Sequence, residues 1–352
     1  MKVCLFNNLY GKFSHGGAET AVSLMAAEFK KSGDEVFLIT TKPRQEKAPD
    51  NSDLKIYYLN SKFYNLADIN IFWRLFWHIN NIFSLKKYLE IKSILKKEKP
   101  DLVVTHNLMG PGFLTPLAIR KLKIRHEHFL HDIQLLHPSG LMIYGHENVL
   151  DSFAALTYQK ITRLLFSSPA KIISPSKWLL DMHIDRDFFN KSEIEIRPFK
   201  WAASSSHRSE ETKIFHTFLF VGQIEEQKGI FFLINAFKKI TEPELSLTII
   251  SRNNSGKLTE ATKLAGDDKR IKIISPLGFE ETKKIMENSD CLIVPSLCYE
   301  NSPTVIYGAH EAGMRVIASD IGGIPEICLK TDYLFEPGNE KDLIAKMQKG
   351  RE

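Results

Sequence analysis

Glu300 stands between a short apolar run and the opening of a helix, in residues 295–313, PSLCYENSPTVIYGAHEAG. The run Cys291-Leu292-Ile293-Val294 reads as a buried strand entered through Asp290 and ended by Pro295-Ser296. Asn301-Ser302-Pro303 then opens a helix. Ser302 is a good N-cap, and Pro303 suits the first helical position, where its missing N–H costs nothing. The helix is expected to run to about Ala312, with Gly313 as a left-handed cap. One acid therefore lies just beyond the carboxyl end of a strand and beside a helix N-terminus. In parallel α/β sheets ligands bind there, and the backbone N–H groups and positive helix end favour phosphate. Taken alone, the segment also fits a strand–loop–helix unit with an incidental surface Glu.

Placing that acid requires a sheet, and the chain supplies alternating elements. A strand near 2–7 is followed by Gly16-Gly17 and a helix with apolar positions Ala21, Leu24, Met25 and Phe29. Two glycines opening a helix let the backbone approach a ligand closely, but the G-x-G-x-x-G dinucleotide pattern is absent. Strands follow near 35–40, 54–59, 102–105, 124–130, 171–174 and 193–196, with helices near 84–99, 114–122, 152–165 and 177–183. Residues 197–213, with Ser204-Ser205-Ser206 and no apolar period, read as an interdomain linker. A second strand–helix series begins at Phe215. The expected fold is α/β, two doubly wound Rossmann-like domains over 1–198 and 214–352, joined by 199–213 and facing across a cleft that holds the ligand.

Composition agrees with this and narrows the class. At 352 residues two domains can each bury a core, and 43% hydrophobic with 25% charged content is ordinary for a soluble globular protein. A formal charge of +5 permits contact with phosphates or an anionic membrane but is too weak to indicate nucleic acid. Cys4, Cys291, Cys298 and Cys328 form no C-x-x-C pair and read as reduced thiols of a cytoplasmic protein. The N-terminus has no apolar signal core, and no 18-residue apolar run is present. His126, His128, His131, His137 and His146 invite a metal reading, but no Cys or second ligand pattern accompanies them, so no metal and no cofactor is expected.

Five stretches in order carry a resemblance. They are Gly16-Gly17-Ala18-Glu19-Thr20, His131-Asp132, the run from Phe220 to Gly229, Pro295-Ser296 through Glu300-Asn301-Ser302-Pro303, and Ile317 to Glu326. Together they resemble the GT4 (group 1) glycosyltransferases of the GT-B fold. That resemblance implies a retaining, metal-independent transfer of a sugar from a nucleotide-diphosphate sugar to a glycan or lipid-linked acceptor. The departing diphosphate needs stabilisation. Lys228 would supply a point charge, and Gly16, Gly17 and the helix after Ser302 would supply N–H donors. Glu300 matches the first acid of the family's Glu-x7-Glu motif and would hold sugar hydroxyls and developing charge. His131 would bind the sugar or acceptor region. Gln223, Asn301, Ser302, Pro303 and Thr304 line the same donor site by this match, and the backbone at Pro276-Leu277 falls where the family holds the base.

Departures keep a second reading open, a catalytically weak GT-B binding or partner subunit. The second acid of the motif is Gly308 here, and Glu311 lies one turn further on. Gln223 stands where Arg is common, Pro198-Phe199-Lys200 replaces Pro-Asn-Gly, and the chain stops at Glu352, short of the family's terminal helix. Finally, Ile71, Phe72, Leu75, Phe76, Ile79, Ile82 and Phe83 share one helical stripe that is expected to face the core. Trp73 and Trp77 fall opposite it, near Lys86, Lys87, Lys92, Lys96, Lys97 and Lys99. Aromatic rings beside lysines suit a bilayer interface or lipid-linked acceptor, with packing inside the same domain as the alternative.

Overall fold

The structure, a computed structural model, describes residues 1–13, 16–47, 53–62, 70–199, 215–251, 256–275 and 277–349. The expected linker lies outside the described residues except for Phe199, and so does Pro276. The chain forms two units, Met1–Leu141 with Asn148–Arg197, and Met142–Glu147 with Pro198–Glu352.

The first unit runs β1 (Lys2–Phe6), α1 (Gly17–Lys31), β2 (Glu35–Pro43), β3 (Lys55–Ser61), α2 (Ile71–Phe83), α3 (Leu85–Glu98), β4 (Leu102–Thr105), α4 (Thr115–Lys121), β5 (Arg125–Phe129), α5 (Phe153–Phe166), β6 (Lys171–Ser174), α6 (Lys177–Ile184) and β7 (Glu193–Ile196). Its sheet has the order β3-β2-β1-β4-β5-β6-β7, parallel at every pair. The second unit runs β8 (Thr217–Gly222), α7 (Ile230–Lys238), β9 (Ser246–Ser251), α8 (Gly256–Ala265), β10 (Ile271–Ile274), α9 (Phe279–Glu287), β11 (Cys291–Val294), α10 (Thr304–Glu311), β12 (Arg315–Ser319), α11 (Ile324–Ile327), β13 (Tyr333–Phe335) and α12 (Glu340–Lys349). Its order is β10-β9-β8-β11-β12-β13, again parallel. Both units are thus doubly wound, as the alternating sequence predicts.

The central strands read as unbroken apolar runs because both faces are covered. In the second unit Phe218, Phe220, Cys291 and Ile293 enter one core with Leu233 and Phe237 of α7. Their neighbours Leu219, Leu292 and Val294 enter the other with Ile306 and Ala309 of α10. In each sheet the direction of winding reverses beside the first strand, between β1 and β4 and between β8 and β11. The loops leaving those strands diverge and leave a crevice at their carboxyl ends.

One expectation is overturned. The apolar stripe of α2 does not face the core: Phe72, Leu75, Phe76, Ile79 and Phe83 are exposed, Phe72 by 72%. The inward face is Arg74, Trp77, His78, Asn81 and Ile82, so Trp77 is half-buried while Trp73 stays exposed. Asn81 sets this rotation. Buried, it accepts the Gly110 amide on Oδ1 at 2.9 Å and the Phe113 amide on its carbonyl at 3.2 Å. Those bonds fix the helix against the loop after β4, and tertiary hydrogen bonding overrides the hydrophobic period. Lys87 also leaves the exposed lysine group: it donates to the Gly110 carbonyl, and burial lowers it to about 8. Cys4, Cys291 and Cys298 are buried free thiols and Cys328 is half-buried. Among the described residues no helix is long and apolar enough to cross a membrane.

Candidate active site

Lys228 and Glu300 come from the loops after β8 and β11, the two strands flanking the reversal of the second sheet. Lys228 Nζ lies 2.9 Å from Glu300 Oε2, and the Ser296 hydroxyl donates to the other carboxylate oxygen. Burial pulls the Lys228 ammonium towards neutrality, but Glu300, with smaller help from Cys298 and Glu225, outweighs it, and the net shift is upward. Cys298 is pushed up to about 11, first by burial and then by Glu300, so it stays a thiol beside the pair.

The loop carrying Glu300 is gripped through its backbone. Lys228 ends a 3-10 turn, Glu226–Lys228, and Gly229 caps it at φ +71. A Cβ on Gly229 would fall 1.8 Å from the Pro295 carbonyl oxygen, so only glycine fits on both counts. At the far end Gly322, φ +63, packs so closely that a Cβ would meet the Glu300 carbonyl oxygen at 2.4 Å. The Gly323 amide donates to that same carbonyl at 2.8 Å. In between, the Leu297 amide donates to the Gln227 carbonyl at 2.9 Å.

The expected cap at α10 is shifted. Pro303, not Ser302, is the N-cap, and the helix begins at Thr304. The Ser302 hydroxyl is engaged with Tyr307 Oη at 2.8 Å instead of turning onto a helix amide. Asn301 is buried, and Gln223 is half-buried directly after β8. Leu277 packs against the α10 core. Glu311 is the last residue of α10, about 10 Å along the axis from Thr304 at ~1.5 Å per residue. Gly308 turns towards Met286, whose Sδ would lie 3.6 Å from a Cβ built there.

In the first unit His131 and Asp132 follow β5. His131 Nε2 is 2.8 Å from His106 Nδ1, and His106 stacks on Phe129 with centroids 5.4 Å apart. His106 Nε2 is buried with no partner among the described residues. A proton there would be stranded, so His106 carries its proton on Nδ1 and donates to His131. Burial holds His131 neutral, down at about 3. Burial raises Asp132 to about 6 while its Oδ1 accepts the Gln134 amide at 2.7 Å, a turn that fixes the backbone after His131. His126 Nε2 and His128 Nδ1 each lie 2.8 Å from Thr105 Oγ1. Among the described residues no three His, Cys, Asp or Glu side chains are placed to hold a metal. At Gly16-Gly17 the Gly16 amide already has an anion, Glu19 Oε2 at 2.6 Å, in a capping box on α1.

In the second unit the structure brings Lys228 and Glu300 together and adds Ser296, Gly229 and Gly322; in the first unit, separately, it adds His106 beside His131. The glycines stood inside the motif runs, where their spacing alone could not show which atoms they let approach.

Two parallel, doubly wound units define a fold class, GT-B. Residues 15–198 match Glycosyltransferase Family 4 and residues 215–350 match Glycosyl transferases group 1. The chain belongs to this family and is a glycosyltransferase. It is 26% identical, over 98% of its length and 92% of the other's, to an uncharacterized 42.6 kDa protein in the cps region of Klebsiella pneumoniae. Its fold is similar to sucrose-phosphate synthase from Thermosynechococcus elongatus, with TM-score 0.69 at 16% identity, covering 99% of this chain and 89% of that one. It is similar to Anabaena Alr3699/HepE in complex with UDP and glucose, with TM-score 0.67 at 15% identity and the same coverage.

The backbone contact at Gly229 gives a direct check. Gly229→Ala must adopt a left-handed conformation, which costs roughly 1–2 kcal/mol, and also push the Pro295 carbonyl away. Urea unfolding is expected to show a loss of at least about 2 kcal/mol. Gly308→Ala meets only ordinary contacts and removes roughly 1 kcal/mol of helix cost, so it should be stabilising. Equal stability of the Gly229 variant and the parent would contradict the close approach.

Proposed function

We propose that this chain transfers a sugar from a nucleoside-diphosphate sugar to a glycan or lipid-linked acceptor, with retention of anomeric configuration and without a metal ion. The Lys228–Glu300 pair carries the reading. A lysine at this crevice offers its charge to the diphosphate, and the first-turn amides of α10 at Thr304 and Val305 add the positive end of a helix. Those donors supply the charge stabilisation that a divalent cation would otherwise give. When the diphosphate takes Lys228, the Glu300 carboxylate is left to the sugar, where it accepts hydroxyl hydrogen bonds and faces the positive charge that develops as the glycosidic bond breaks. Retention follows if the acceptor oxygen attacks from the face the diphosphate leaves, its proton passing to the departing phosphate oxygen.

Support for a glycan acceptor comes from a relative in Salmonella typhimurium named lipopolysaccharide 1,2-N-acetylglucosaminetransferase, 26% identical over 50% of this chain and 51% of its own length. The HepE structure, with UDP and glucose, makes UDP-sugars the first donors to try. A panel of UDP- and GDP-sugars, each with and without a chelator, tests the proposal. At least one donor should yield nucleoside diphosphate unaffected by chelator, and NMR of the product should show the donor's anomeric configuration. Binding without turnover across the panel would favour the partner-subunit reading, for which Gly308 facing Met286 is the motivating observation.

We also propose that the first unit contacts a membrane through α2. Its exposed stripe and Trp73 adjoin a helix with Lys86, Lys96 and Lys97 exposed and Lys99 just past its end. Apolar rings flanked by ammonium groups match an anionic bilayer surface. Sedimentation with phosphatidylglycerol-containing vesicles should fall at least about tenfold for the Phe72→Ser/Trp73→Ser/Phe76→Ser variant, roughly what losing three buried apolar side chains allows. Unchanged sedimentation would refute the contact.

A further inference from the structure

Residues 142–147 lie far from the acid loop in sequence, and of them only His146 is singled out by sequence analysis. Yet Met142–Glu147 belongs to the second unit. It runs antiparallel to 297–299, with Ile143 opposite Cys298. The Tyr144 amide donates to the Leu297 carbonyl at 3.0 Å, and the Tyr299 amide donates to the Met142 carbonyl at 2.9 Å. A turn closes the segment through His146 N to the Ile143 carbonyl at 3.0 Å. Glu147 Oε1 then accepts twice, from the Gly145 amide at 2.8 Å and from the Tyr299 hydroxyl at 2.8 Å. The Tyr299 ring packs against the α10 core. Burial, and next the Glu147 bond, push the Tyr299 hydroxyl up to about 12, so the donor keeps its proton at any working pH.

The residue just before Glu300 is therefore held at three points: its amide, its ring and its hydroxyl. Glu300 follows Tyr299 directly, and its own carbonyl is held by the Gly323 amide at 2.8 Å, so pinning Tyr299 fixes the other end of the backbone from which the Glu300 side chain leaves. We propose that Tyr299 is a positioning residue for Glu300, latched by Glu147 on the 142–147 segment. The proposal rests on the assignment of Glu300 to sugar transfer, and it deepens that assignment. Loosening the latch leaves Lys228 and the α10 amides in place, so it should reduce turnover and spare nucleotide binding. Misplacing a reacting group by about 1 Å can cost up to about a hundredfold.

Tyr299→Phe keeps the ring in the core and removes only the hydroxyl. Its kcat should drop about fivefold to twentyfold, a fraction of that limit, with the Kd for UDP or GDP unchanged. Glu147→Ala should match it, and Glu147→Gln, which keeps a carbonyl acceptor, should recover most of the loss. The double variant should be no worse than either single one, because both remove the same bond. Hydrogen exchange gives a second readout independent of turnover, in which the Tyr144 and Tyr299 amides, the two that cross between the segment and the acid loop, should exchange faster in Tyr299→Phe while the β8 amides stay protected. Parental kcat in Tyr299→Phe, additive losses in the double variant, or unchanged exchange at those two amides would each overturn the proposal. A parent inactive with every donor would instead defeat the transfer assignment, and the exchange data would still decide whether the latch holds.

Discussion

The contact on which the site depends is backbone against backbone, Gly229 on Pro295. Lys228 and Glu300 come from different strands, and nothing about an ion pair compels two loops to approach. The absent side chain of Gly229 lets the turn that carries Lys228 settle onto the start of the acid loop. Gly322 does the same at its end. Between them the loop's main chain is tied to Gln227, Met142, Tyr144 and Gly323. An acid held this way needs little reorganisation when charge develops beside it, which is how preorganised polar groups lower a barrier. Close approach has its own demand, since two positive φ values are required, and glycine meets both.

Charge is distributed differently in the two units. In the second, a lysine and a carboxylate sit largely buried and satisfied by each other. In the first, the buried imidazoles are neutral. His131 lies at about 3 and His126 at about 3, each from burial, so neither carries positive charge near neutral pH. What His131 offers a ligand is set by His106, which occupies Nε2. The amino end of α1 is likewise already neutralised by Glu19. On the proposed reading, the attraction for a diphosphate would come from Lys228 and the amino end of α10.

Much of this was legible from the chain. Central strands such as Cys291–Val294 are continuous apolar runs because both faces are covered, and their boundaries could be read within a residue or two. Lys228 and Glu300 were legible because they stand in motif runs at strand ends. Three features were not. The rotation of α2 is fixed by Asn81, whose partners at Gly110 and Phe113 lie about thirty residues on and leave no periodic trace. The cap of α10 moved because Ser302 met Tyr307, a choice between two hydrogen bonds of similar strength. The support from 142–147 depends on pairing across some 150 residues, and an isolated three-residue bridge has no sequence pattern. Local propensity and period speak to elements; they do not say which loop lands on which.

The central claim is that Glu300, held rigidly beside Lys228, acts on the sugar and not on the nucleotide. Glu300→Gln keeps the shape and removes the charge, so the measurement is its kcat with the preferred donor alongside calorimetric binding of the nucleoside diphosphate. The account predicts a fall of at least about a hundredfold in kcat and in kcat/KM together, as expected for an interaction made in the transition state, with diphosphate affinity unchanged or higher because Lys228 is released from its partner. Turnover near the parental level, or a loss confined to diphosphate binding, would contradict it.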